Sequence, residues 1–180
     1  MFLRERGPET VLHAAAEQPA VRRIRAGEHG GLRALRLLAL EDAAEAFSQT
    51  LEHAQQQPAT YWQRLAAEGS AGESRVTFVA ELKPEWVGMA GGQLDDERSA
   101  RLVAMWVHPA HRRRRTGLAL VSAVRDWSRW KGRTRLTLWV AQSNETAITF
   151  YSRAGFSPTG RRQLLPWSRD LSEIEMAEEL

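Results

Sequence analysis

The chain has 180 residues, 43% of them hydrophobic and 26% charged, with a formal net charge of +3; that is enough for one domain with its own core and far from disordered or membrane-embedded compositions. The absence of cysteine excludes disulfides, thiolate metal sites and an acyl-cysteine intermediate, and fits a reducing compartment. The opening residues lack the apolar core of a secretory signal and no run is long enough to span a bilayer, so the expected location is cytoplasmic.

Residues 1–19 show no clean period and contain Gly7-Pro8; they read as an extension, disordered or with a short helical stretch through His13 to Glu17, ahead of a single domain over 20–180. AVRRIRA from Ala20 suggests a first strand, and Leu32, Leu35, Leu38 and Ala39 recur at helical spacing, predicting a helix from Glu28 to Leu40. Further helices are predicted over Ala43–Gln55 and Thr60–Ala67, separated by Pro58, with a loop over Gly69–Gly72. RVTFVAEL and EWVGMAGGQL form two β-type runs around Lys83-Pro84, a hairpin signature.

ARLVAMWVHP is apolar on both alternating sets, Leu102, Ala104 and Trp106 against Val103, Met105 and Val107, and so predicts a central strand covered on both faces. Gly117–Lys131 carries Leu120, Ala123, Val124 and Trp127 on one helical stripe. RLTLWV alternates as a strand, SNETAITFYSRAGF opens with cap-type residues and closes at Gly155, and two last strands are predicted over Phe156–Gln163 and Glu173–Ala177. The sum is a mixed α/β sheet with helices on both faces.

The informative junction is MWVHPAHRRRRTGLALV, in which a buried strand enters an arginine-rich turn and then a helix. Unpaired amides at a helix start, the helix dipole and arginine donors together suit a phosphate, although a solvated basic turn is the plain alternative. A nucleic-acid partner is not expected, because the basic cluster is short and lacks an aromatic platform. No metal is expected either: His13, His29, His53, His108 and His111 show no ligand spacing.

Two spaced segments of the chain resemble the GNAT family of N-acetyltransferases. The first is Val107, Pro109, Arg112 and Gly117, matching an apolar strand, V-x-P and an R-x-x-G-x-G/A turn; in the register that keeps the Pro109–Arg112 spacing Arg115 stands where the motif has its first glycine, and a register shifted by two makes Arg114 the motif's arginine and Gly117 its first glycine. The second is LWVAQSNETAITFYSRAGF, with Asn144, Ala147, Tyr151, Gly155 and Phe156 in the positions of the family's later strand, Asn-containing turn and helix. The resemblance implies a GNAT fold: a mixed, mostly antiparallel central sheet with helices on both faces and a splayed central strand. It also implies acetyl-CoA as acyl donor, bound by Met105, Trp106 and Val107 on the strand, by Arg112, Arg113, Arg114, Arg115, Thr116, Gly117, Leu118 and Ala119 in the turn, and by Asn144, Ala147 and Tyr151.

In that family such a tyrosine protonates the departing CoA thiolate, and an ordinary phenol, with pKa ~10, is a proton donor at neutral pH; Tyr151 is thus the candidate general acid. The expected activity is direct transfer, within a ternary complex, of an acetyl group to a primary amine of a small molecule, with the carbonyl oxygen stabilised by a backbone N–H near Met105–Val107. A catalytically degenerate acyl-CoA sensor is the other reading, raised by Arg115 and by the lack of a carboxylate on the central strand. The base is not identifiable, with Glu81, Glu45, Asp96 and His108 as candidates. The family's first helices face the acceptor, so Glu45, Phe47 and Glu52 are the candidate acceptor-binding residues; Glu41, Glu45 and Glu52 on one helical edge would attract a cationic amine. Dimers are common among such proteins, and a homodimer is possible on that ground.

Overall fold

A computed structural model describes residues 18–180; the extension and the helical stretch at His13–Glu17 lie outside them, apart from Gln18 and Pro19. Among the described residues seven strands and five α-helices follow in this order: β1 (Ala20–Arg23), α1 (His29–Asp42), α2 (Leu51–Gln55), α3 (Ala59–Ala71), β2 (Arg75–Leu82), β3 (Glu85–Leu94), β4 (Ser99–Val107), α4 (Thr116–Trp130), β5 (Arg135–Ala141), α5 (Glu145–Arg153), β6 (Ser157–Leu164) and β7 (Ser172–Glu179). They build one sheet in the order β1-β2-β3-β4-β5-β7-β6, with β4 at its centre. Every pairing is antiparallel except β4–β5.

The β4–β5 pair organises the molecule. It is parallel, and its register holds only for Ser99–Arg101 against Arg135–Thr137; beyond these residues the two strands part. On its other edge β4 bulges: Gly91 faces Val103 and Met89 faces Trp106, so two steps on β3 match three on β4, and Ala104 takes up the slack at φ 53°. A bulge of this kind re-aims the residues that follow it. The strict alternation expected for β4 therefore fails at Ala104. Leu102, Met105 and Val107 all join the core beneath α4 and α5, and Trp106 joins the core beneath α1 and α3.

Those two cores cover opposite faces. Val76, Leu120, Val124, Leu136, Leu138 and Met176 meet on one side; Leu35, Leu40, Trp62, Met89 and Trp106 meet on the other. Close backbone approach makes the first face tight: a Cβ on Gly92 would lie 2.7 Å from the Trp127 ring, so glycine lets α4 sit down on β3.

Two elements differ from expectation in ways that matter for the site. The helix expected over Ala43–Gln55 is broken into a 3-10 turn (Ala44–Ala46), an extended stretch through Phe47 and a short α2, with the Thr50 hydroxyl capping at His53 N. In α1 the buried stripe is Leu32, Leu35, Ala39 and Leu40, whereas Leu38 is 48% exposed. The stripe has rotated by part of a turn, and Arg36, between Leu32 and Leu40 at spacings of four, turns inward. Helix α3 runs to Ala71, two residues past Gly69, and ends at Gly72 in a left-handed conformation.

Candidate active site at the β4–β5 split

The His108 amide donates to Val87 O at 2.9 Å, toward β3. Successive amides along a strand point to opposite edges, so the Val107 N–H points the other way, into the gap that opens between β4 and β5. The chain then makes the 3-10 turn Pro109–His111 and enters α4 through Arg113 and Arg115, both at φ 63°. A left-handed backbone at Arg115 is what a glycine would adopt without strain. The conformation thus supports the register in which Arg115 occupies the glycine position and Gly117 the second one.

At the start of α4 the first amide to reach a helical carbonyl is that of Ala119, bonded to Arg115 O at 3.0 Å. The N–H groups of Thr116, Gly117 and Leu118 precede it and are left for an outside acceptor. Among the described residues the Thr116 hydroxyl is buried without a hydrogen-bond partner, a second unmet demand at the same turn. Gly117 is needed for packing: a Cβ there would lie 3.1 Å from Phe150 of α5 and 3.3 Å from Met105 of β4. The four arginines divide. Arg113, Arg114 and Arg115 are exposed, whereas Arg112 is tied back into the fold. Its Nε donates to Val107 O at 2.9 Å and its guanidinium pairs with Asp42 at the end of α1, which also accepts from Trp106 Nε1 at 2.9 Å. Arg112, proposed from the sequence as a cofactor contact, therefore makes two contacts within the fold although its side chain stays 48% exposed.

Across the gap, Asn144 caps α5 by accepting from Ala147 N at 3.0 Å. Tyr151 lies one helical face along, 9% exposed and edge-on to Phe150 and Phe156. Burial pushes its phenol well above the usual tyrosine range, because a phenolate there would lose its hydration. Its hydroxyl bonds to no described residue.

On the α1–α3 side a cavity of approximately 480 Å³ reaches Val103 and the Ala104 bulge. Its walls include Phe47, Tyr61, Trp62 and Trp139, together with Arg36, Gln163 and Glu173. Phe47, a candidate acceptor-binding residue, lines this cavity and is buried, its ring centre 4.4 Å from the Arg36 guanidinium and its carbonyl accepting from Trp167 Nε1 at 2.9 Å. The expected acidic edge does not form, because the helix that would carry it is broken. Glu41 belongs to α1 and Glu45 to the 3-10 turn, and Glu52 is exposed on α2, bonded to Gln56. Glu45 lines a second, shallower cleft with Asp42, Ser143 and Asn144.

Of the candidate bases, two are spoken for. Glu81 and Glu28 share Arg22, whose hydrogen bonds hold both carboxyls below the usual range. Asp96 is held low by the Ser99 side chain and by the amides of Arg98 and Ser99, a turn-capping role between β3 and β4. His108 accepts from Ala110 N at 3.2 Å within its own turn. The carboxylate that does line the cavity on the α1–α3 side is Glu173, 6% exposed, accepting on Oε2 from Gln163 Nε2 at 3.0 Å.

Comparison with known proteins identifies this arrangement. The family model described as Acetyltransferase (GNAT) family matches residues 32–156. The chain belongs to the GNAT family. The matched stretch contains the bulge, the arginine turn and Tyr151, and stops before β6 and β7. An uncharacterised N-acetyltransferase of Methanocaldococcus jannaschii is 31% identical over 85 residues, which is 44% of this chain and 38% of that protein. The chain spans less than half the length of the curated relatives it matches. Among solved structures, a GNAT-family acetyltransferase from Streptococcus pneumoniae superposes with a TM-score of 0.76 at 17% identity, covering 91% of this chain and all of that one. A Salmonella typhimurium acetyltransferase with its cofactor acetyl-CoA does so with a TM-score of 0.73 at 17% identity, over 92% and 95% of the two chains. These likenesses show that the sheet, its split and its helices are the GNAT fold.

Sequence reasoning missed Arg36, Trp62, Gln163 and Glu173. Arg36 had a legible signal, a lone cation at spacing four within an apolar helical stripe. Trp62 reads as ordinary core. Gln163 and Glu173 sit on β6 and β7, strands whose alternation is too polar to reveal a buried side.

Proposed function

We propose that this GNAT chain transfers an acetyl group from acetyl-CoA to the amine of a small molecule, by direct attack within a ternary complex. The observation that carries this is the split between β4 and β5, which has the amide-rich start of α4 on one side and the half-open cavity on the other. The donor set fits the cofactor: unpaired amides at Thr116, Gly117 and Leu118, the unmet Thr116 hydroxyl and the exposed Arg113, Arg114 and Arg115 suit a pyrophosphate. Met105, Trp106 and Val107 on β4 and Asn144 and Ala147 at the start of α5 are the residues proposed to flank a pantetheine arm. Acetyl-CoA supplies an acyl carbon activated as a thioester.

The residues of the chain do the rest. The Val107 amide, aimed into the gap, is available to donate to a carbonyl oxygen as it gains negative charge, at no cost of reorganisation. Tyr151 keeps its proton on Oη because burial disfavours the phenolate. With a pKa above that of an ordinary thiol, ~8.5, it acts on a departing sulfur first as a hydrogen-bond donor, and proton delivery follows as solvent returns. Glu173 is the first candidate to take the amine's proton, since its Oε1 has no described partner and it lines the cavity.

The test is turnover with acetyl-CoA and a panel of amines, followed as free thiol. Acetyl-CoA at millimolar concentration is expected to raise the thermal midpoint by mass action. Tyr151→Phe is expected to keep that shift and to lower turnover by about 10²-fold. No midpoint shift would dismiss the cofactor, and unchanged turnover in the variant would return Tyr151 to packing.

A further inference from the structure

Arg36 is a cation turned into the protein with no anion to meet it. Its Nη1 is shut off from solvent and has no hydrogen-bond partner among the described residues. Its guanidinium lies 4.4 Å from the centre of the Phe47 ring, and the ionisable side chain that acts on it is that of Tyr61, with no carboxylate contributing. The other two arginines of the cavity wall are already paired, Arg101 with Asp95 at 2.6 Å and Arg75 with Glu68 at 3.4 Å. Burial lowers the Arg36 pKa to about 10, which leaves the side chain charged at neutral pH.

An unpaired buried charge destabilises a fold, so its retention asks for a compensating ligand. The cavity offers the matching geometry. Trp62, which also lines the cavity, has its Nε1 buried and unpartnered, as is Arg101 Nε, so further donors there lack an acceptor. Elsewhere in the cavity stands Glu173, an acceptor suited to an ammonium group, and the space between them extends to Ala104 at the β4 bulge.

We infer that the acceptor is an amine that also carries a carboxylate, an amino acid or an amino-carboxylic acid of that size, with the carboxylate held by the Arg36 guanidinium. A carboxylate accepts two parallel bonds from a guanidinium fork, and the Trp62 N–H is free to add a third. The amine end is then left to face Glu173 and the split. The inference rests on the acetyltransferase reading and narrows its acceptor. It also differs from the expectation raised by the acidic residues at 41–52, a cationic amine drawn by carboxylates, in adding a cation that receives an anionic group.

The experiment compares the protein L-amino acids with their α-carboxamides, and with spermidine and benzylamine, in two readouts: thiol release from acetyl-CoA, and the thermal midpoint with the amine alone. For at least one amino acid, the free acid is expected to exceed its carboxamide by about 10- to 100-fold in kcat/KM, the range of a charge-assisted bond. Arg36→Gln is expected to shrink that ratio to about twofold or less while leaving the KM for acetyl-CoA unchanged. Arg36→Met, which removes a buried unpaired charge at similar length, is expected to raise the midpoint of the free protein. Thiol release that favours spermidine, benzylamine or the carboxamides would overturn the inference and leave the acetyltransferase reading standing. Midpoint shifts with amino acids that vanish in Arg36→Gln, without thiol release from any amine, would keep the anion site and dismiss the activity. A lower midpoint in Arg36→Met together with an unchanged acid-to-amide ratio in Arg36→Gln would make Arg36 a structural partner of Phe47 and end the proposal.

Discussion

Strands β1 to β4 carry helices on both faces, α4 on one and α1 with α3 on the other, whereas β5 and β7 share an apolar core on one face only and β6 adds no residue to it. Their other face is polar. Glu175, 3% exposed, accepts from Arg161 at 2.9 Å and from Thr159 at 2.8 Å, Glu173 accepts from Gln163, and the Trp139 ring lies 5.7 Å from the Arg161 guanidinium. Strand β6 is exposed along most of its length. The first half is thus held by burial and the second by burial on one side and paired charges on the other. Buried apolar area stabilises without regard to direction, while buried charge must be matched atom for atom. A half-sheet of the second kind can be re-lettered into a recognition surface, and here it supplies Glu173 and Gln163 to the cavity.

Truncation provides the largest contrast between the halves. Met89→Ala, in the α1–α3 core of β3, is expected to cost about 2–5 kcal/mol, and Leu164→Ala, 57% exposed on β6, to stay within about 0.5 kcal/mol, both by denaturant unfolding. Comparable losses would mean that the polar half is as tightly packed as the other.

At the seam, Arg115→Gly relieves a left-handed side chain at φ 63° and is expected to stabilise by up to about 1 kcal/mol while retaining the midpoint shift with acetyl-CoA. A loss of stability would show that the arginine side chain makes up for its backbone.

The smallest effect is electrostatic and confined to the β1 edge. Glu28 and Glu81 have carboxyls lowered by Arg22, so they favour the folded state above the ordinary glutamate value of about 4.3, and this contribution is lost as pH falls through their depressed values. Acid titration followed by hydrogen exchange is expected to open the amide of Ile24, bonded to Thr77 O at 2.9 Å, before those of β5. In Arg22→Gln the pH dependence of that opening is expected to flatten, and an unaltered dependence would detach it from this cluster.

The same contrast explains what was legible in the sequence. β2, β3, α4 and β5 follow from periodicity because one or both faces are uniformly apolar. The arginine turn and Tyr151 were legible as a family pattern, and the left-handed Arg115 gives that pattern's glycine position a physical basis. The bulge at Ala104 was not legible: its neighbours are apolar on both faces, so nothing in their order records where the phase shifts. The break between Ala46 and Leu51 was hidden because Phe47 reads as one more helical apolar residue, whereas its backbone is extended and its carbonyl is taken by Trp167, 120 residues later. The cavity depends on such distant contacts, which is why the course of the chain through 43–55 could not be read from local pattern.

Asp42 joins the two sides of the site. It closes α1, six residues after Arg36, and receives both Trp106 from β4 and Arg112 from the turn that leads into α4. The α1 wall of the cavity and the arginine turn are thereby tied to one another through a single carboxylate, far apart in sequence. Loops between α1 and β4 can lengthen or shorten without altering the separation of the two walls, so long as that carboxylate stays where it is.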